Sequence, residues 1–544
     1  MRLSIFLSFL ATVSTAAAQN ITYSEKGSNV SYPVTVNGIN LLHTTGEELA
    51  AALSNGTVTT LQLVDAYIDR IIANDRQGLN LRSIIEIAPS AREVAAQLDA
   101  ERKNGTIRSP LHGIPIVVKD NYNTDPSLGM NTTAGSYSLL GQTVKGDAFV
   151  IDRLRKAGVL IMGKANMNEF AGQRGQDNSS AWSARGGQMS SAYVFGGFNA
   201  GGDPSGSSGG SAISVSSGFA AISLGTDTEG SITFPANRAA LFGFRPSTGM
   251  TSRTGVVPIS SSQDSTGPLA KSAWDVAAML EIMIGYDTED TYSLAAQPYR
   301  YTNYTQFLSK DGFNGLRIGI PREPFFNTTF SGLNESINAA INSTLLKMKE
   351  LGAIIIDPVE FPNAEDYKYT FPGQAARTNN ATIRIQYDFK ADLAQYLQTQ
   401  LINSTVTTLE DIINFIDENM DLESPPGECC QATFIAADQT EDRQNSGEYW
   451  LSQFSLQRLY IDGLEATMRL HNLDVVLVPT ESEASRLGVL ARGPVGTVPL
   501  GYSDINLPFG MSFIGKSYDE PTVLRAISAY EANFPKRAVP PTLD

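Results

Sequence analysis

Histidine and cysteine are nearly absent from this chain, which has three of the former and two of the latter in 544 residues. No histidine sits in a metal spacing such as H-E-x-x-H, so a metallohydrolase would find no ligands here. Their scarcity also turns the search for a general base toward other side chains, lysine among them. The two cysteines, Cys429 and Cys430, are adjacent. In an oxidising compartment they form a vicinal bond, pair between chains or stay buried and reduced. The vicinal bond is the favoured reading, although it would close almost no loop. Thiol catalysis has no nearby histidine or basic cluster to support it. Positive charge is scarce as well: 40 Lys and Arg face 56 Asp and Glu, for a net charge of -16 and a pI near 4.8. Such a surface repels nucleic acid and favours solubility. No apolar run approaches the roughly 18 residues of a membrane span.

What the chain does have begins with a leader pattern. Met1-Arg2 supply a positive start, Leu3 to Val13 an apolar stretch and Ala16-Ala17-Ala18 a small-residue cleavage site. Residues 1–18 therefore read as a secretory signal peptide and 19–544 as the mature chain. N-x-S/T sequons at Asn20, Asn29, Asn55, Asn104, Asn131, Asn178, Asn303, Asn327, Asn334, Asn342, Asn380 and Asn403 fit a secreted glycoprotein bearing N-glycans. Chance also generates sequons in a chain rich in Asn, Ser and Thr. Asn131 and Asn178 lie near the segments that carry chemistry and are the least certain of use.

Those segments centre on Ala200-Gly-Gly-Asp-Pro-Ser-Gly-Ser-Ser-Gly-Gly-Ser211 and Leu224-Gly-Thr-Asp-Thr-Glu-Gly-Ser231. A Gly/Ser linker would have polar, low-complexity flanks. Here the flank from Ser211 to Leu224 is small and apolar, a buried helix followed by a short strand. Glycines let main-chain N–H groups converge on one point, as stabilising an oxyanion requires. Two serines brought together by a helix-strand unit become candidates for nucleophile and proton relay. Upstream, Leu111-His-Gly-Ile-Pro-Ile-Val-Val-Lys-Asp-Asn121 reads as a core strand ending in a lysine. Burial would disfavour the charged amine, lower its pKa and make it a base.

These residues resemble the amidase signature enzymes, serine hydrolases that cleave amides, and some esters, through a Lys-Ser-Ser triad. The likeness covers most of the mature chain. The strand-to-lysine segment, the Gly-Ser loop and the Gly-Thr-Asp loop occur in the family's order and separations. Leu154 to Ala171, Gly243-Phe-Arg-Pro-Ser247 and Pro508 to Gly515 are family-like too. The resemblance implies Lys119 as base, Ser207 as bridging serine on a cis bond after Gly206, and Ser231 as nucleophile. It implies an oxyanion hole of the N–H groups of Thr228, Glu229, Gly230 and Ser231. Gly206, Ser208 and Asp227 would support the site, and no cofactor or metal is called for.

The chemistry is coherent on its own terms. Ser231 Oγ attacks the acyl carbonyl, Ser207 passes the proton to neutral Lys119, and the proton returns to the leaving nitrogen. Activity should then rise with pH to a neutral or alkaline optimum. Two positions depart from the commonest family pattern: Glu229 stands where many members have glycine, and Thr233 where many have arginine. Glu229 would place a carboxylate near the oxyanion hole unless it turns to solvent or to a structural pair. Asp227 reads as a loop brace, Asp120 and Asn121 as positioning groups, and Arg245 as one half of a structural ion pair.

A rival lies in the same loop, since Gly206-Ser207-Ser208-Gly209-Gly210 matches G-x-S-x-G with Ser208 central. That elbow needs a strand immediately before the serine and a downstream acid and histidine. Asn199 to Ser205 is loop-like, and His471 is the only histidine downstream. The expected fold is α/β, a large mixed twisted sheet covered by helices on both faces, in one domain whose motifs run from Lys119 to near the C terminus. Long helical patterns such as Leu333 to Gly352 precede strand-like runs such as Ala353 to Asp357. Residues 367–450 carry no family motif and read as an insertion that shapes the acyl or leaving-group pocket. Two functions follow: a secreted hydrolase of small-molecule amides, extending to esters or carbamates, or an inactive glycoprotein that keeps the fold to bind a ligand, its oxyanion hole compromised by Glu229. The related amidotransferase component that makes amidated tRNA shares the motifs but lacks a reason for a signal peptide.

Overall fold

A computed structural model describes residues 34–175, 178–366, 380–482 and 485–543. The leader pattern, the sequons at Asn20 and Asn29, and the start of the insertion-like region lie outside the described residues. Among the described residues the architecture is a mixed sheet of eleven strands with helices packed on it. Numbered along the chain, its strands are β1 (Ile84–Ile87), β2 (Pro115–Lys119), β3 (Leu160–Ala165), β4 (Ile222–Asp227), β5 (Phe242–Arg245) and β6 (Ser265–Ala270). They continue with β7 (Arg317–Gly319), β8 (Ile354–Ile356), β9 (Val475–Pro479), β10 (Val495–Tyr502) and β11 (Pro508–Ile514). The spatial order is β8-β7-β9-β11-β10-β5-β6-β4-β2-β3-β1. This is the α/β class expected from sequence.

The strand that ends in Lys119 lies deep in the sheet. Strand β2 is parallel to both β3 and β4, and all five of its residues are buried. A strand covered on both faces is apolar without alternation, which is why Pro-Ile-Val-Val runs uninterrupted into the lysine. Strand β4 pairs antiparallel with β6 over six residues, so Asp227 lies opposite Ser265 at the edge where the Gly-Thr-Asp loop begins. The helix expected after the Gly-Ser loop spans Gly209–Ser216, and all eight of its residues are buried. Its side chains are too small to hold its backbone away from the strands. A Cβ at Gly210 would stand 2.3 Å from the Asn166 carbonyl oxygen and 2.5 Å from that of Ser83.

The helix Glu335–Glu350 followed by β8 matches the pattern read at Leu333 to Asp357. One large hydrophobic cluster occupies the sheet and its helices. A second joins Phe389, Leu393 and Leu397 of the helix Asn380–Gln400 and Phe434 of the helix Ala432–Asp438 to Met167 and Phe170. The described part of the insertion-like region is thus packed against the segment that follows β3. Cys429 and Cys430 form the vicinal disulfide. No described helix is long and apolar enough to cross a membrane.

Because Gly210 meets main-chain oxygens, which cannot rotate away, Gly210→Ala should destabilise the fold by about 1–3 kcal/mol. Urea denaturation would read this as a lower midpoint at unchanged slope; an unchanged midpoint would show that the helix has room to shift.

Candidate active site

The end of β2, the Gly-Ser loop and the loop after β4 converge on one point. Lys119 Nζ is hydrogen-bonded to Ser207 Oγ at 2.6 Å and to Thr226 Oγ1 at 2.9 Å, with the Thr226 carbonyl at 3.3 Å. Lys119 has no solvent exposure. Burial drives its amine down from 10.5 to about 7, against the carboxylates of Asp227 and Asp264, which favour the charged form. Removing water from an ammonium costs more than two partly screened carboxylates return. At neutral pH the group is therefore divided between amine and ammonium.

Ser207 follows a cis peptide bond after Gly206 and is 2 % exposed. A Cβ on Gly206 would fall 2.4 Å from Asn168 Oδ1, so only glycine allows this approach. Ser231 is partly exposed and lines the same cavity as Ser207, Thr228 and Glu229, a space of about 620 Å³. The two loops are tied together where the Ser208 N–H donates to the Ser231 carbonyl at 3.2 Å. Ser208 itself is fully buried, donates its hydroxyl to the Thr226 carbonyl at 3.2 Å and is not part of the cavity wall. That placement removes it as an elbow nucleophile. None of the three histidines lines the cavity.

Asp227 organises the loop that carries Ser231. Its Oδ1 accepts the N–H of Gly230 and its Oδ2 that of Ile232, both at 2.8 Å. The carboxylate is fully buried and lies 3.3 Å from Arg245 Nε. The terminal guanidinium N–H groups of Arg245 donate to the main-chain carbonyls of Gln263 at 2.6 Å and Gly493 at 3.2 Å and to the Thr248 hydroxyl at 3.5 Å. Asp227 thus ties the loop to β4, and Arg245 lies beside its carboxylate. One oxyanion expectation needs correction: the Gly230 N–H is turned inward to Asp227, because a buried carboxylate must collect donors. The N–H groups of Thr228, Glu229 and Ser231 remain as candidates.

Glu229 does not obstruct the loop. The left-handed φ, +115°, falls on Gly230, and Glu229 turns its carboxylate to Arg486 Nε at 3.2 Å. Thr233, where arginine was the commoner residue, donates its hydroxyl to the Gly230 carbonyl at 3.3 Å within the helix Thr233–Arg238. Asn121 donates to Thr226 Oγ1 at 3.0 Å and so backs the acceptor of Lys119. Asp120 accepts the hydroxyl of Thr133 and the N–H of Gly135. Sequence reasoning passed over Thr226, although it stands inside the Gly-Thr-Asp motif. It also passed over Asn168, Asp264 and Arg486, which reach the site from distant segments with no spacing signal.

Ala381, Ile385 and Gln386 from the helix Asn380–Gln400, and Ala432, Thr433 and Ala436 from the helix Ala432–Asp438, form part of the cavity wall. The charged residues on the described wall are Glu169, Arg174, Glu229 and Arg486; Arg174 lies 2.9 Å from Glu169 and 3.5 Å from Glu423, and Arg486 pairs with Glu229. Burial and the neighbouring Glu423 carboxylate raise Glu169 to about 8, so at neutral pH a proton is held between the two carboxylates that share Arg174.

The chain is similar to known proteins over most of its length. A family model described as Amidase matches residues 62–489. A probable amidase of Arabidopsis thaliana is 34% identical over 488 residues, 89% of each chain. A component of the glutamyl-tRNA(Gln) amidotransferase of Exiguobacterium sibiricum is 32% identical, over 91% of this chain and 96% of that one. Among solved structures, the native peptide amidase of Stenotrophomonas maltophilia superposes with a TM-score of 0.81 at 34% identity, covering 91% of this chain and 98% of its own.

The lowered pKa of Lys119 has a consequence for stability. Between about pH 7 and 10 the unfolded chain holds a proton on Lys119 that the folded chain does not, so stability rises with pH through that window. Relative to Lys119→Met, which has no such proton, the wild type should gain about 1.4 kcal/mol of unfolding free energy per pH unit across it. Parallel denaturation curves at the two ends of the window would instead show a lysine that keeps its ordinary pKa when folded.

Proposed function

The chain belongs to the amidase family and is a hydrolase of carbon–nitrogen bonds, and from that premise we propose that it cleaves uncharged carboxamides of peptide-like acyl groups through an acyl-enzyme on Ser231. The observation that carries the proposal is the 2.6 Å contact between a fully buried lysine amine and a serine hydroxyl on the wall of the cavity that also holds Ser231.

Ser231 Oγ attacks the amide carbonyl as its proton moves to Ser207 Oγ and the Ser207 proton moves to the neutral amine of Lys119. The carbonyl oxygen takes the negative charge and receives the N–H groups of Thr228, Glu229 and Ser231. Collapse of this intermediate breaks the C–N bond, and the Lys119 ammonium returns its proton through Ser207 to the departing nitrogen. Water then attacks the ester on Ser231 by the same relay in reverse, freeing the acid.

Substrate class is argued from the wall. With a proton held at Glu169, Arg174 is balanced by Glu423 and Arg486 by Glu229, so an incoming carboxylate or ammonium would lose its hydration without gaining a matching charge. The amides of Asn168, Gln173 and Gln386 and the hydroxyls of Ser179 and Thr433 offer donors and acceptors beside apolar Trp182, Phe234 and Ile385. That mixture suits a peptide-like group blocked as its amide, in keeping with the peptide amidase of Stenotrophomonas that the chain resembles. Esters and carbamates of the same acyl groups would be secondary substrates. The inactive-glycoprotein reading draws on Glu229 alone, and its pairing with Arg486 weakens it.

Labelling with a small fluorophosphonate followed by peptide mapping tests the proposal. Ser231 should be modified at a rate that rises with pH to a plateau above about 7, the value set by Lys119. Lys119→Ala should lower that rate by about 10²–10⁴-fold, the range of a lost general base. Absence of labelling at every pH would favour the ligand-binding reading, and labelling of Ser208 would restore the elbow.

We also propose secretion, supported by the leader pattern and by the placement of the described sequons. Asn55, Asn104, Asn303, Asn334, Asn342 and Asn403 are exposed. Asn131 is held by Glu86 through both its N–H and its side chain, and the side-chain amide of Asn178 is buried on the cavity wall. Glycopeptide mapping of protein from a eukaryotic secretory host should find glycan at several sites of the first group and none at Asn131 or Asn178. Retention of the protein inside the cell would count against secretion.

A further inference from the structure

We infer that Asp264 is a positioning residue for the proposed reaction: as a carboxylate it holds Thr228, and with it the main-chain donors facing the oxyanion, so turnover needs Asp264 ionised as well as Lys119 neutral. The inference rests on the Ser231 mechanism above and adds a residue that touches neither substrate nor nucleophile.

Asp264 immediately precedes β6. Its Oδ1 accepts the Thr228 hydroxyl at 2.6 Å, and its Oδ2 accepts the N–H groups of Ile259 at 2.8 Å and Ser260 at 3.0 Å. Three donors converge on the two carboxylate oxygens as charge-assisted hydrogen bonds, roughly twice as strong as neutral ones. A proton on Asp264 would remove the charge that strengthens all three, and the Thr228 contact would persist only as a weaker neutral bond with its hydroxyl reversed to accept. Thr228 and Ile259 form part of the partition between the cavity holding Ser231 and a second cavity of about 840 Å³, and Asp264 lines the second. The carboxylate thus supports the oxyanion loop from behind, within reach of protons from the second cavity.

The surroundings keep the group titratable near the pH range of activity. Burial raises Asp264 to about 6, against the opposing hydrogen bonds of Thr228, Ile259 and Ser260 and the charge of Arg253. Arg253 is itself committed to Asp290. Arg245 of β5 and Lys119 of β2 also feel the Asp264 charge. From the helix Asn380–Gln400, Asp388 and Asp392 accept from Ser260, Ser261 and Ser262 of the same turn, with Arg443 bridging both carboxylates. These contacts anchor the turn and leave the Thr228 hydroxyl to Asp264.

The test is the rate of Ser231 labelling by the fluorophosphonate as a function of pH, on the full chain, for wild type, Asp264→Asn and Thr228→Val. In the wild type two groups must lose protons, so below about pH 6 the logarithm of the rate should fall with a slope approaching two. Asp264→Asn should lower the plateau roughly ten- to hundredfold, the cost of misplacing a donor. Its acid limb should carry one proton and lie at lower pH, because Lys119 has lost a neighbouring negative charge. Thr228→Val should also lower the plateau and reduce the slope to one, now with Asp264 intact but uncoupled. A general loss of stability would lower rates without changing the number of protons in the limb. An Asp264→Asn protein that keeps the wild-type plateau, or keeps a slope of two, overturns the inference. A wild type that is never labelled at Ser231 overturns the proposed mechanism itself, a result distinct from either.

Discussion

The site depends on the desolvation of one amine. Lys119 has no solvent exposure, and its nitrogen reaches Ser207 and Thr226 instead of water. An ordinary lysine is protonated at neutral pH and cannot accept a proton; this one is poised near 7 because the sheet around it excludes water. The position costs stability, and the cost is tied to strand β2, whose apolar run is covered on both faces. Moving the lysine one residue along the strand would turn it to the other face of the sheet, away from Ser207.

The remaining elements supply that amine with partners at fixed places. Asp227 draws the loop after β4 inward by collecting the N–H groups of Gly230 and Ile232, while Arg245 balances its charge. The short helix after the Gly-Ser loop lies against main-chain oxygens of Asn166 and Ser83, with Gly210 at the closest approach. This seats Ser207 and Ser208 at the helix start with little lateral freedom. Two carboxylates near the lysine therefore serve different tasks: Asp227 shapes the loop from its base, and Asp264 supports Thr228 from its far side.

The departures from the commonest family pattern are absorbed locally. Glu229 leaves the left-handed backbone position to Gly230 and directs its charge to Arg486. Thr233 closes a turn onto the Gly230 carbonyl. Neither change removes Lys119, Ser207 or Ser231 from the common site. The helices Asn380–Gln400 and Ala432–Asp438 complete one wall of the cavity, so part of the chain without a family motif lies beside the proposed nucleophile.

Much of this was legible in the residues because the signals are local. A continuous apolar run ending at Lys119 has the pattern of a strand buried on both faces, and small residues from Ser211 onward have that of a helix packed at close range. Hydroxyls and glycines in two clusters separated by that helix and a strand already imply that two loops meet at one end of the sheet. The contacts that tune the site were not legible. Arg486 lies 257 positions from Glu229 in the chain, and the turn containing Asp264 is anchored by Asp388 from another element. The inward turn of the Gly230 N–H follows from the demand of a buried carboxylate for donors, which no spacing reveals. Sequence alone determined the family, the strand-loop-helix unit and the three residues proposed to carry the chemistry, because each is written in contiguous residues. Tertiary structure decided the protonation of Lys119, the pairing of Glu229 and the shape of the cavity, because burial and long-range charge exist only once distant segments have packed.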